Sequence, residues 1–170
     1  DPPTRFTYWV MRVSEGGEIL APGRAERFVQ MIDARDLARW IIEMIERGEN
    51  GIFNATGRPF ELTFGRMLEE IKTVLESDTD FTWVGEEFLE LRGVAPWSEM
   101  PLYLPESDEE IKGFLSANID KALDEGLRFR PLKNTIHETY RWRLSKSDKL
   151  KAGISRDREL ELLSEWRENE

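Results

Sequence analysis

The chain has 170 residues, of which 39% are hydrophobic and 34% charged, the size of one domain with a sizeable core. Lys and Arg number 24 against 34 Asp and Glu, a net charge of −10, which argues against nonspecific binding to nucleic acid or anionic membrane, since both need dense cationic surface. The absence of cysteine and the single histidine, His137, exclude disulfides, thiolate metal sites, cysteine nucleophiles and every two-histidine metal motif.

In chain order, Phe6, Trp9, Val10 and Val13 fall at helical spacing and predict a first helix ended by Gly16-Gly17. A short strand is expected at Ile19-Leu20, closed by Pro22-Gly23, and a second at residues 28–32. Asp33 then stands where a helix N-cap belongs. Leu37, Trp40, Ile41, Met44 and Ile45 predict an amphipathic helix that stops at Gly48. Residues 51–57 are uncharged and bounded by glycines, which predicts a strand at residues 52–54 buried on both faces of a sheet.

Thr63 is the expected cap of a helix with the stripe Phe64, Met67, Leu68, Ile71, Val74 and Leu75. A strand at residues 81–84 and a short helix from Glu86 follow. Residues 94–105 hold three prolines, Trp97, Met100 and Tyr103, an aromatic, proline-stiffened loop suited to wall a cleft or cover core. Short and long helices are expected at residues 120–125 and 132–144, and a last helix capped by Ser155. No apolar run exceeds about four residues, far short of the ~20 a membrane-spanning helix needs. The fold class is therefore α+β, helix-rich with a few short strands.

Catalytic signatures are absent from the sequence. There is no Gly-x-Gly-x-x-Gly, no Gly-x-x-Gly-x-x-Gly and no P-loop, and no tyrosine is followed four residues later by lysine. The adjacent acids Glu69/Glu70, Glu86/Glu87 and Glu109/Glu110 read as solvated faces, because helical neighbours diverge by about 100°. His137, beside Ile136, reads as a hydrogen-bonded structural histidine.

Four passages carry a resemblance. Gln30-Met31-Ile32-Asp33-Ala34-Arg35-Asp36-Leu37-Ala38, Asp1-Pro2-Pro3-Thr4-Arg5-Phe6-Thr7-Tyr8-Trp9, Gly51-Ile52-Phe53-Asn54-Ala55-Thr56-Gly57, and Asn118-Ile119-Asp120-Lys121-Ala122-Leu123 with Gly126-Leu127-Arg128-Phe129-Arg130-Pro131-Leu132 together resemble, in order, the C-terminal substrate-binding part of NAD(P)-dependent epimerase/dehydratases, the extended short-chain dehydrogenase/reductases. The resemblance spans residues 1–144, with residues 145–170 expected as a connector and C-terminal helix.

The resemblance implies a fragment of a Rossmann-type α/β enzyme without its dinucleotide-binding half. The glycine-rich loop, the Tyr-x-x-x-Lys pair and NAD or NADP belong to that half. A start at Asp1 agrees with a piece of a longer, cytoplasmic polypeptide without an export leader. Expected partners are the missing Rossmann half and a small-molecule substrate, with self-association of the isolated chain. The fragment alone is expected to be inactive and to bind no cofactor or metal. Substrate-binding candidates are Arg5, Tyr8 and Trp9, nearest the catalytic segment, Arg27, and Trp97 and Tyr103 of the loop. Where nucleotide-sugar members carry an arginine seven residues before the position of Asp36, this chain has Val29. That departure disfavours a nucleotide-sugar substrate and leaves Arg27, two residues earlier, as a partial substitute. The alternative is a non-enzymatic α+β interaction or small-ligand-binding domain.

Overall fold

Thr4 turns the chain with a left-handed φ of 59° and leads into helix α1, Arg5–Ser14. Phe6, Trp9, Val10 and Val13 are buried along its inner stripe, as their spacing predicts. Strand β1, Glu18–Pro22, follows. Helices α2, Ala34–Glu46, and α3, Phe64–Leu75, then cross over to strand β2, Asp80–Val84. The two strands pair in parallel, Glu18 opposite Asp80 and Pro22 opposite Val84. Helices α4 (Glu86–Leu91), α5 (Asp120–Asp124), α6 (Leu132–Leu144) and α7 (Arg156–Asn169) complete a helix-rich α+β fold. These features come from a computed structural model that describes every residue except Pro2, Lys112 and Glu170.

Trp9 is the hub of the core. Its ring meets Phe64 edge-on at 5.3 Å, and its indole N–H donates to the carbonyl of Pro101 at 2.6 Å. Phe64, Met67, Leu68 and Ile71 come from α3, Ile136 from α6, and Leu162 and Leu163 from α7. Sealing each such aliphatic or aromatic side chain contributes about 1.5–3 kcal/mol. A second cluster joins Trp40 and Met44 of α2 to Ala122 and Leu127, with the Trp40 indole donating to the Glu125 carbonyl at 3.0 Å.

The last helix is part of the main core. Its Glu159, buried, meets buried Arg12 of α1 at 2.8 Å, accepts from the backbone N–H of Leu20 at 3.0 Å and takes Arg156 at 2.5 Å. Arg12 also donates to the carbonyls of Gly16 and Glu18. A buried ion pair offsets its desolvation only when its remaining polar atoms are bonded in this way. The connector before α7 is pinned too, with the N–H of Lys151 donating to Thr4 Oγ1 at 2.7 Å.

The caps form as expected. Asp33 accepts from the N–H of Arg35 at 2.8 Å and Thr63 from that of Arg66 at 3.1 Å. Two expected strands do not form. Among the described residues, only Phe28 of residues 28–32 pairs, in an isolated antiparallel bridge with Thr63; the sheet there consists of β1 and β2, which leaves this stretch without a neighbouring strand for a ladder. Residues 52–54 are also irregular, and Ile52 is 92% exposed, so their lack of charge does not reflect burial within this chain.

Candidate functional site

A cleft of about 1160 Å³ opens between the start of α1, residues 29–36, the first turn of α3, the 94–105 loop, residues 128–132 and α6. Its walls are set by local chemistry that can be followed from the sequence.

Asp33 and Asp36 flank the first turn of α2 and hold one wall. Asp33 accepts from the guanidinium of Arg35 at 3.0 and 2.7 Å and from the Thr135 hydroxyl of α6 at 2.7 Å. Asp36, buried, accepts from Arg130 through its backbone N–H and Nε, each at 2.9 Å. The Arg35 hydrogen bonds hold the Asp33 carboxyl well below the usual range, against the cost of burial. For Asp36, burial opposes ionisation, and the hydrogen bonds from Arg130 outweigh it, so its pKa also falls. Two carboxylates thus tie α2, residues 128–131 and α6 together.

The opposite wall is strained. Trp97 and Leu102 have φ of 65° and 63°, a left-handed conformation costing about 1–3 kcal/mol each in a side-chain-bearing residue. The Trp97 N–H is held by the carbonyls of Met100 and Tyr103 at 3.1 and 3.0 Å. The Trp97 carbonyl accepts from Arg5 Nε at 3.0 Å, and the same guanidinium lies 4.8 Å from the centre of the Trp97 ring. Phe114 meets that ring edge-on at 5.6 Å.

Of the six expected substrate residues, the structure brings Arg5 and Trp97 together on the cleft. Tyr8 and Trp9 are buried in the core. Trp9 lies on the inner stripe of α1, and burial, with Glu159 nearby, pushes the Tyr8 hydroxyl pKa up. Tyr103 is buried as well, its hydroxyl likewise shifted up by burial. Arg27 lies away from the cleft, beside a smaller cavity of about 330 Å³. It is buried over the Tyr103 ring at 4.5 Å, 3.5 Å from Glu86, and donates to the Leu104 carbonyl. Burial lowers its pKa, and its Nε has no hydrogen-bond partner among the described residues.

Other expectations need correction. Glu86 is a half-buried anchor, not a solvated acid: it accepts from the N–H of Glu106 at 2.8 Å and meets Arg27. His137 is exposed on α6 and makes no side-chain hydrogen bond among the described residues.

Several cleft residues were not singled out from the sequence. Arg66, Arg128 and Phe129 line it, and Gln30 closes its floor. The Gln30 amide donates to the carbonyls of Gly57 and Ala117, each at 2.8 Å, and accepts from the N–H of Ala117 at 3.0 Å. The available signal for Arg66 was its place three residues after the cap Thr63, at the mouth of a helix. Among the described residues no cluster of three His, Cys, Asp or Glu is placed to hold a metal, and no helix is long and apolar enough to cross a membrane. Compared with protein-family models and with curated proteins, the chain matches none.

Proposed function

We propose that this chain is the substrate-binding part of an NAD(P)-dependent reductase or epimerase/dehydratase, working against a Rossmann half that supplies dinucleotide binding and acid-base chemistry. The observation that carries this reading is a second apolar face on α2. Trp40 and Met44 turn inward to Ala122 and Leu127. Ile41, Ile42 and Ile45 face outward, 44%, 55% and 70% exposed, and Ile52 of the following segment is 92% exposed. A helix apolar on both sides belongs between two packed layers. The family resemblance puts the parallel sheet of the Rossmann half on this side. Residues 52–54 would then gain the strand neighbours that they lack here.

The chain's own residues do not fit a dinucleotide. It has no glycine-rich phosphate loop. One helix N-terminus at the cleft, that of α2, is already capped by the Asp33 carboxylate, with Asp36 in the same turn, and is not open to a pyrophosphate as a bare helix N-terminus would be. The role left to this chain is to bind and orient the substrate in the cleft beside Arg5 and Trp97.

Light scattering of the isolated chain, with titrations of NAD⁺, NADH, NADP⁺ and NADPH, tests this reading. The expected result is self-association through the α2 face, reversed by Ile42→Ser with Ile45→Ser, and no micromolar dinucleotide binding. Micromolar binding to a monomeric chain overturns it. A second reading, a small-ligand-binding module without an enzyme around it, has one observation in its favour: the cleft walls come from this chain alone. A monomeric wild-type chain that binds no dinucleotide decides for that module.

A further inference from the structure

We infer that the cleft takes a small monoanionic carboxylate with a compact apolar body, its charge held by Arg5 and Arg66. The inference rests on reading the cleft as the substrate side of this chain, and it names the chemical class that the cleft selects.

Elsewhere the chain matches its arginines with carboxylates. Arg24 meets Glu106 at 2.7 Å, Arg92 meets Glu165 at 2.7 Å and Arg167 meets Glu18 at 2.6 Å. Among the described residues, the arginines without a carboxylate in ion-pairing distance are Arg5, Arg66, Arg128 and Arg141. The first three line the cleft. In a chain of net charge −10, the cleft lining sets as many arginines as carboxylates, so it escapes the negative excess of the rest of the chain, and the cations left unmatched within it are the points at which an anion can be held.

The three arginines are not equivalent. Arg128 already donates through Nη1 to the carbonyls of Leu123 and Leu127 at 3.2 and 2.8 Å. Arg5 is held by its Nε bond to the Trp97 carbonyl and by the Trp97 ring, which fixes the guanidinium plane and, among the described residues, leaves both terminal nitrogens to donate. A fixed guanidinium edge matches the two oxygens of a carboxylate. Arg66 carries no side-chain hydrogen bond among the described residues and adds a second charge from the first turn of α3. Glu70, one helical turn on, also lines the cleft without an ion pair among the described residues. Its charge beside Arg66 repels a phosphate dianion more strongly than a monoanion. Phe6, Leu102 and Phe129 supply apolar wall, which a ring-sized body covers and a fully polar anion leaves unsatisfied.

Isothermal titration of the 170-residue chain at low salt with 4-methylbenzoate, its neutral isostere 4-methylbenzamide and phenyl phosphate tests the inference. The benzoate is expected to bind about tenfold more tightly than the amide, and more tightly than phenyl phosphate. Arg5→Gln and, separately, Arg66→Gln should erase most of the benzoate–amide difference, and Arg141→Gln should leave it unchanged. Arg66 is exposed at a helix start, so its variant keeps the test valid even where Arg5→Gln disturbs the loop. Equal binding of benzoate and amide, tighter phenyl phosphate, an equal loss in Arg141→Gln, or no benzoate binding at millimolar concentration overturns the inference. Dinucleotide binding with the carboxylate preference intact refutes the proposed division of labour and leaves the ligand class standing. Loss of the preference with α2-mediated association intact does the reverse.

Discussion

Gln30 and Ala117 exchange a reciprocal pair of hydrogen bonds, side-chain N–H to carbonyl at 2.8 Å and backbone N–H to side-chain oxygen at 3.0 Å. A side-chain amide here does what a neighbouring strand does in a ladder. Its other N–H reaches the Gly57 carbonyl at 2.8 Å, so one residue fastens two distant segments beneath the cleft. Gln30→Glu keeps the shape and removes both donors, and should cost about 1–3 kcal/mol, the penalty of leaving buried polar groups unmatched. Urea denaturation of the two proteins measures this, and an unchanged midpoint refutes the role.

Asp33→Ala removes the cap of α2 and should cost about 0.5–2 kcal/mol. The pH dependence separates capping charge from capping shape. Both Asp33 and Asp36 have pKa values lowered in the folded chain from an ordinary 3.8. Their contribution is therefore complete above that value and is lost as pH falls below it towards the depressed folded values. Melting temperatures of wild type should fall more steeply below pH ~4 than those of Asp33→Asn, which has one carboxylate fewer to protonate. Parallel curves would show that the Asp33 charge plays no part.

Glu159→Gln leaves the Arg12 guanidinium sealed beside a neutral partner, and should destabilise by roughly 3–5 kcal/mol. Arg12→Met combined with Glu159→Leu should recover much of that loss, because no uncompensated charge stays buried. A double variant less stable than the single one, by chemical denaturation, contradicts this account.

Gly57 sits where a Cβ would press into the Met31 carbonyl oxygen and backbone. Gly57→Ala should therefore destabilise by about 1–3 kcal/mol through forced backbone displacement, and should weaken cleft binding because Met31 lines it. A variant that melts like wild type would show that the two segments separate freely.

Sequence periodicity made the helices legible. The stripe Phe64, Met67, Leu68 and Ile71 could bury itself only on one helical face, and all four are sealed. Asp33 and Thr63 were readable as caps because a short polar acceptor before an apolar run has few other uses. The strands at residues 28–32 and 52–54 were misread because β composition marks a segment able to pair, and pairing needs a neighbour that local sequence cannot supply. The cleft was harder still. Arg5 and Trp97 were both singled out, but their contact spans 92 positions. Tyr8, Trp9 and Tyr103 looked equally suited to a ligand because aromatic residues serve core and cleft alike. Arg66 and Arg128 stand out only once it is known which carboxylates other arginines reach.

Thr4 accepts from Lys151, and Arg12 closes on Glu159, so the first helix is completed by residues made 147 positions later. Contacts of such separation are slow to close, since chain entropy must be lost before they form. On the ribosome, β1 and the Arg12 cation wait without their α7 partners until that helix has emerged. Premature termination before residue 155 would therefore yield a chain with an open core and an Arg12 cation without its Glu159 partner, a species suited to capture by chaperones or proteases rather than to a reduced version of the native fold.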